Sequence, residues 1–428
     1  MVALEQQVIA ANGASIFYYK QPNTHSISIS LYVKAGALYE NENNGITHFL
    51  EHMHFRRLGG RTQKELYHKL ESIGAEFGGS TYKEFVQFIL TASPKYFSEL
   101  AAFAADLLGP LEASQQDMVS EKRLVLSEIQ EDGAKDDVDF VSNKHIWEGT
   151  NLRNPILGIA ASIKSLTLEV LQKEKEKIFA RENLFFYVTG CFSDEDIGLL
   201  KKEIERYDLS GRPDTRNNNI AQIPAGFMNR GAYTRISQRK NFMHDVKISF
   251  DFYLKQVSRL ELSYLDSILS GGLCSLLRAE LIEKRGLIYS FGSTIEQYSN
   301  IGVYYFAFTV HKSKLHETIK NFVSVLNAIK KGISDADMET TRVFKTDNQL
   351  LMLDDPENLN WTFAYENHVL QNSYTCVQEI AEAYSRITKQ QLTETANKLF
   401  RPEYATLTSL GNKKGLSESK LQKALLKL

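Results

Sequence analysis

The sequence predicts an α+β protein of two homologous domains, each a largely antiparallel sheet packed with helices. Three observations predict it: a repeat at constant offset, a polar break between the copies, and strand and helix periods mixed without strict alternation. The repeat runs from Ser165 to Gly190 and again from Arg386 to Gly411. At an offset of 221 it matches Leu166 to Ile387, Thr167 to Thr388, Leu171 to Leu392, Phe179 to Phe400, Glu182 to Glu403 and Gly190 to Gly411. Each copy reads as a threonine-capped amphipathic helix followed by a short strand ending at glycine.

The chain of 428 residues is about the length of two domains. Its amino terminus has Glu5 where a secretory leader would be basic and apolar, so no signal peptide is expected. His25 to Val33 alternates polar and apolar residues with period two, as a half-buried strand does. Helix, glycine, strand pair and helix then follow from Leu66 to Leu108, with an echo from Leu277 to Leu326. The seam is expected at 208–226, where two prolines, two glycines and three consecutive asparagines interrupt every period. The expected domains are therefore 1–207 and 227–428, and Val246 to Leu254 opens the second with the same alternation as the first strand.

Fifty basic against fifty-two acidic residues leave a net charge of −2, which gives no reason to expect nucleic acid or an anionic membrane as partner. No stretch approaches eighteen uncharged apolar residues, so no membrane span is expected. Three widely spaced cysteines without a C-x-x-C pair argue against a disulfide framework and for a reducing, cytoplasmic setting.

The chemistry concentrates in Gly45-Ile-Thr-His-Phe-Leu-Glu-His-Met-His-Phe55. His48 and His52 are four apart and stack on one helical face, with Glu51 bordering it. Two neutral imidazoles at this spacing can grip one Zn²⁺, and the glutamate can reach a water at the metal. Ile46, Phe49, Leu50, Met53 and Phe55 would bury the rest of the helix. The order His-x-x-Glu-His inverts the commoner zinc-peptidase motif. The bland alternative is a surface helix that happens to hold two histidines. His54, at i+2 from His52, faces the other way and reads as packed or exposed. His311 and His316 read as solvated.

A catalytic zinc needs a third protein ligand and an open position. Glu121 and Glu128 lie seven apart in a strongly helical stretch and share a face; Glu128 is 76 residues beyond His52. Glu128 could ligate while Glu121 buttresses a histidine from outside. For either glutamate alone, a solvated helix face is the simpler reading.

In these segments, in Asn154-Pro-Ile-Leu-Gly with Ile163-Lys-Ser-Leu-Thr, and in Glu283-Lys-Arg-Gly-Leu-Ile-Tyr-Ser, the chain resembles the pitrilysin/insulinase family of zinc peptidases. Its nearest counterparts there look like the processing-peptidase-like subunits of bacteria. The resemblance implies that His48, His52 and Glu128 ligate zinc, that Glu51 is the general base and that Glu121 is a supporting acid. It implies peptide substrates enclosed between two facing halves.

Two departures shape the expected partners. The family's substrate-holding arginine is replaced by Ile282, which carries no charge or donor, while the accompanying Tyr289 remains. Where the family begins its substrate-pairing strand with Asn-Ala-x-Thr, this chain has Gly78-Gly79-Ser80-Thr81. The backbone of Gly79, Ser80 and Thr81 could still accept an extended peptide. The expectation is a zinc metalloendopeptidase acting as the metal-bearing half of a heterodimer whose second pitrilysin-like subunit supplies an Arg/Tyr pair and which processes leader or precursor peptides. A homodimer relying on Tyr289 is the alternative assembly, and a non-catalytic peptide-binding subunit is the alternative function.

Overall fold

The alternating stretches pair into two sheets of the same topology. The first contains β1 (Gln6–Ile9), β2 (Ser15–Lys20), β3 (Ile27–Val33), β6 (Glu76–Thr81), β7 (Val86–Ala92) and β8 (Leu184–Gly190), in spatial order β1-β2-β8-β3-β7-β6. A small hairpin, β4 (Arg57–Leu58) with β5 (Arg61–Thr62), stands apart. The second sheet contains β9 (Tyr233–Gln238), β10 (Asp245–Leu254), β11 (Ile288–Gln297), β12 (Gly302–His311) and β13 (Ala405–Gly411), in order β11-β12-β10-β13-β9. Read from β9, this repeats the run β2-β8-β3-β7-β6. Both sheets are antiparallel except for one pair at the same place in each, β2 with β8 and β13 with β9.

The computed structural model describes residues 4–40, 42–131, 137–211, 233–238, 244–254, 257–298, 301–412 and 416–428. The expected seam at 208–226 lies outside these residues from position 212 onward.

The repeat holds to the residue. Helix α7 (Leu168–Ile178) and β8 recur 221 positions later as α14 (Lys389–Leu399) and β13. Thr167 accepts from the Val170 amide, and Thr388 accepts from the Gln391 amide, each at 3.3 Å. Gly190 ends β8 at φ +109°, and a Cβ there would lie 2.2 Å from the Ser26 carbonyl oxygen. No side chain fits that approach.

Each compact unit is assembled from three stretches of chain. The first takes Met1–Asp132, Asn154–Ala221 and Gln349–Glu379; the second takes Gly133–Arg153, Gln222–Asn348 and Ile380–Leu428. Helices α1 (Ile46–His54), α2 (Gln63–Ser72), α3 (Phe97–Asp106), α4 (Gln115–Glu131), α6 (Ala160–Ser165), α7, α8 (Asp194–Ile204) and α12 (Pro356–Phe363) fall in the first unit. Helices α5 (Val138–Ile146), α9 (Arg259–Leu269), α10 (Leu315–Ile329), α14 and α15 (Glu418–Leu425) fall in the second. Helices α11 (Asp335–Leu351) and α13 (Val377–Ser385) run across the unit borders.

In the first unit, Ile27, Ile29 and Leu31 of β3 share one buried cluster with Phe49, Leu50 and Met53 of α1 and Leu100 and Phe103 of α3. Each such side chain contributes roughly 1.5–3 kcal/mol on burial, so α1 sits on a rigid base. The second unit is built alike, with Phe250 of β10 stacked on Phe322 of α10 at 4.4 Å.

The polar face of β3 is not solvated as its alternation predicts, because the whole strand is buried. Helix α12 covers it: Asn360 accepts from the Tyr32 hydroxyl at 2.9 Å and donates to the Tyr187 carbonyl at 2.9 Å. The second sheet repeats the device with α5, where Ser142 donates to Asp251 Oδ2 at 2.5 Å and meets the Thr408 hydroxyl at 3.0 Å. Ser30 pairs with Tyr187 as Ser249 pairs with Thr408, so Tyr32 and Asp251 occupy equivalent register positions. A helix from the other half of the sequence is thus pinned through the same two places in each unit. Among the described residues no helix is long and apolar enough to cross a membrane.

Candidate metal centre

The two histidines of the inverted motif lie on α1, whose apolar positions face the sheet. Gly45 opens the helix at φ +91°, where a Cβ would lie 2.5 Å from the Gly158 Cα. The rings of His48 and His52 have centroids 4.4 Å apart, with their Nε2 atoms 3.2 Å from each other. Helix α4 packs on α1 and brings Glu128 Oε2 to 3.9 Å from His48 Nε2 and 3.7 Å from His52 Nε2. Among the described residues, these three form the one group of histidine, cysteine or carboxylate ligands with atoms all within 4.8 Å of one another.

The arrangement fits a zinc ion. Tetrahedral ligands at about 2.0–2.1 Å from zinc are separated by about 3.3 Å, close to the histidine–histidine spacing. Glu128 Oε2 is shielded from solvent and meets no hydrogen-bond donor. An acceptor oxygen buried beside two imidazole nitrogens is costly unless something positive satisfies it. The Glu128 side chain as a whole is 39 % exposed, so the site opens on that side.

Electrostatics set the two imidazoles differently. Burial, and next the neighbouring His52, push the His48 pKa down to about 3, so this ring stays neutral with a lone pair to offer. Burial also pulls His52 down, but its bond to Glu121 and the charges of Glu51, Glu121 and Glu128 raise it on balance. Glu121 Oε1 lies 2.8 Å from His52 Nδ1, which turns Nε2 toward Glu128. Burial works to raise the Glu121 pKa, yet its bonds to His52 and Arg56 hold it below the ordinary carboxylate range.

Glu51 is buried beside this group, and burial raises its pKa. Thr81 donates its hydroxyl to Glu51 Oε2 at 2.7 Å. Gly79, two residues earlier on β6, faces the same way: a Cβ there would sit 2.6 Å from Glu51 Oε1 and 2.9 Å from the Phe55 ring. Ser80 points to the opposite side of the strand and is exposed. Of the three residues expected to meet substrate on β6, two therefore touch or clear space for Glu51. Tyr289 belongs to the second unit, on β11, where an irregular register between Ile288 and Phe291 leaves it 95 % exposed. Ile282 is partly buried on a π-helical turn, Arg278–Glu283, while Arg278 pairs with Glu283 and Arg285 with Glu280.

His54 is fully enclosed, its Nδ1 on the Leu50 carbonyl and its ring stacked on Phe179. In the second unit the place equivalent to Glu51, between α9 and β11, is taken by Asp266. Its Oδ1 accepts from Ser270 and Ser293 at 2.6 Å and from Tyr304 at 2.9 Å. Those three hydroxyls all converge on that one oxygen.

Sequence reasoning did not reach two residues at the centre. Arg56 donates its Nε to Glu121 Oε2, and its place four residues after His52 is a helical-spacing signal that could have found it. Glu40 bonds the amino end of α1 from a separate turn, and no spacing rule points to it.

Comparison with known proteins agrees with this geometry. The model of the family described as Insulinase (Peptidase family M16) matches residues 15–159, and that described as Peptidase M16 inactive domain matches residues 165–342. An uncharacterized zinc protease of Rickettsia bellii is 26 % identical over 399 residues, covering 91 % of this chain and 93 % of that protein. The beta subunit of the mitochondrial-processing peptidase of Homo sapiens is 22 % identical over 339 residues, covering 76 % and 68 %. The crystal structure of a protease from Helicobacter pylori superposes with a TM-score of 0.83 at 18 % identity, covering 95 % and 99 %, and so shares the two-domain fold. His48, His52 and Glu128 fall within the first matched region, as the motif requires, and the chain belongs to the insulinase, or pitrilysin, family of zinc metallopeptidases.

Proposed function

We propose that this chain is the metal-bearing subunit of a two-subunit endopeptidase that cleaves peptides or unfolded segments, leader and precursor peptides among them. The observation that carries the reading is the convergence of His48 Nε2, His52 Nε2 and the donor-less Glu128 Oε2. In this reading those three side chains hold zinc, Glu51 is the general base and Glu121 orients His52. When bound, zinc supplies Lewis acidity, bringing the pKa of water toward about 7 and polarising the scissile carbonyl.

The protein's own groups do the rest. Thr81 occupies Glu51 Oε2, so Oε1 takes the proton from the attacking water and returns it to the leaving amine. Burial strengthens Glu51 as a base by raising its pKa. Strand β6 is an edge strand paired with β7 alone among the described residues, so the backbone of Gly79, Ser80 and Thr81 is open to an extended peptide. Tyr289, exposed at its bulge, is the second substrate contact in this reading.

The heterodimer rests on Ile282, which leaves the substrate-holding cation to come from elsewhere. Similarity to a protein named as one subunit of a processing peptidase supports it. Zinc analysis and turnover test the whole. We expect one zinc per chain, retained in Glu51→Gln with peptide hydrolysis abolished; absence of zinc from the wild type would instead favour a peptide-binding subunit. Activity of the purified chain equal to that of a co-expressed pair would rule out the heterodimer.

A further inference from the structure

The two histidines of the metal centre are not supported alike. His52 has Glu121 on its Nδ1, whereas His48 Nδ1 is buried and has no hydrogen-bond partner among the described residues. Among the described residues no hydrogen bond to Nδ1 turns His48 toward Glu128, as one does for His52. Its direction therefore depends on where the first turn of α1 places its backbone.

That turn is held by Glu40. The helix starts at Gly45, which has no side chain with which to cap it. Glu40, 3 % exposed, supplies the cap from five residues upstream. Its Oε2 accepts from the Gly45 amide at 2.7 Å and from Asn44 Nδ2 at 3.0 Å, and its Oε1 accepts from the Thr47 amide at 2.9 Å. A carboxylate at this end also complements the positive pole of the helix. The amide of Thr47 immediately precedes His48, so a shift of that turn moves the imidazole with it.

We infer that Glu40 is a positioning residue for the metal centre, aiming His48 through the helix backbone as Glu121 aims His52 through its ring. The inference rests on His48, His52 and Glu128 being the zinc ligands. It differs from an ordinary stabilising cap in what its loss changes: metal affinity of the folded protein, over and above its melting temperature.

Zinc dissociation constants, measured by competition with a chromogenic chelator at a temperature where every variant is folded, test it. Glu40→Gln keeps one acceptor oxygen and is expected to bind zinc about tenfold more weakly, in line with the cost of disturbing groups that orient ligands. Glu40→Ala is expected to bind more weakly again, with faster amide exchange at residues 45–48 in the metal-free protein. Glu42→Gln removes an exposed carboxylate nearby and is expected to match the wild type. Equal zinc affinity in Glu40→Gln and wild type, even with a lowered melting temperature, would falsify the assignment and leave Glu40 a structural cap. Should Glu40→Ala not fold, Glu40→Gln decides alone. A wild type that binds no zinc defeats the ligand reading itself, an outcome distinct from a wild type and variant that bind equally.

Discussion

The Thr81 hydroxyl donates to Oε2 of Glu51 across 2.7 Å, so an edge strand and the helix that carries the inverted motif are tied at the residue expected to move protons. The bond favours the ionised carboxylate and opposes the rise in pKa that burial imposes on Glu51.

Replacing Thr81 by valine should therefore raise the Glu51 pKa further and free its carboxylate to turn. The acid limb of kcat/KM is expected to move to higher pH, and kcat near neutrality to fall about tenfold, part of the 10²–10⁴ that a positioned base supplies. Thr81→Ser, which keeps the hydroxyl, should restore both. A pH–rate profile unmoved in Thr81→Val would assign the threonine to substrate alone.

Glu121 stands between His52 and Arg56, one oxygen on each. Glu121→Gln puts an amide donor against one of those two donors, so the ring of His52 loses its fixed direction. Zinc affinity is expected to fall about 10–100-fold while the helices stay folded. Chelator competition beside a circular dichroism spectrum separates that outcome from general unfolding.

Asp251 lies buried beneath α5, and burial, with the nearby Asp139 and Glu296 opposing its charge, raises its pKa to about 7. An unfolded aspartate titrates near 3.9. The folded state holds the proton more tightly, so stability is complete below the unfolded value, declines as pH rises from about 4 to 7, and is flat above. Asp251→Asn fixes the neutral form and is expected to remove that decline, gaining on the order of 2–4 kcal/mol over the wild type at pH 8 and little at pH 4. Denaturant melts across this range check it; parallel pH profiles for the two proteins would show that Asp251 is not the titrating group.

Much of the site was legible because it is local. His48, Glu51 and His52 lie within one helical turn and a half, where spacing alone decides the shared face. Glu128 could be proposed from its helical register with Glu121, but its approach to the histidines depends on α4 packing against α1. Thr81 was legible as a strand residue and assigned to substrate, while its bond to Glu51 required β6 to lie beside α1. Glu40 had no signal because a cap delivered from a preceding turn follows no helical period.

Local pattern by itself determined the two-copy plan, down to the 221-residue offset shared by α7 with β8 and α14 with β13, and it determined the motif that names the chemistry. Only the tertiary structure decided what covers the polar faces of β3 and β10. Alternation reports that successive side chains point opposite ways, and it reads a polar side as wet. Asn360 and Ser142 overturn that reading because hydrogen bonds satisfy Tyr32 and Asp251 away from water, through helices that lie hundreds of residues and about one hundred residues away along the chain.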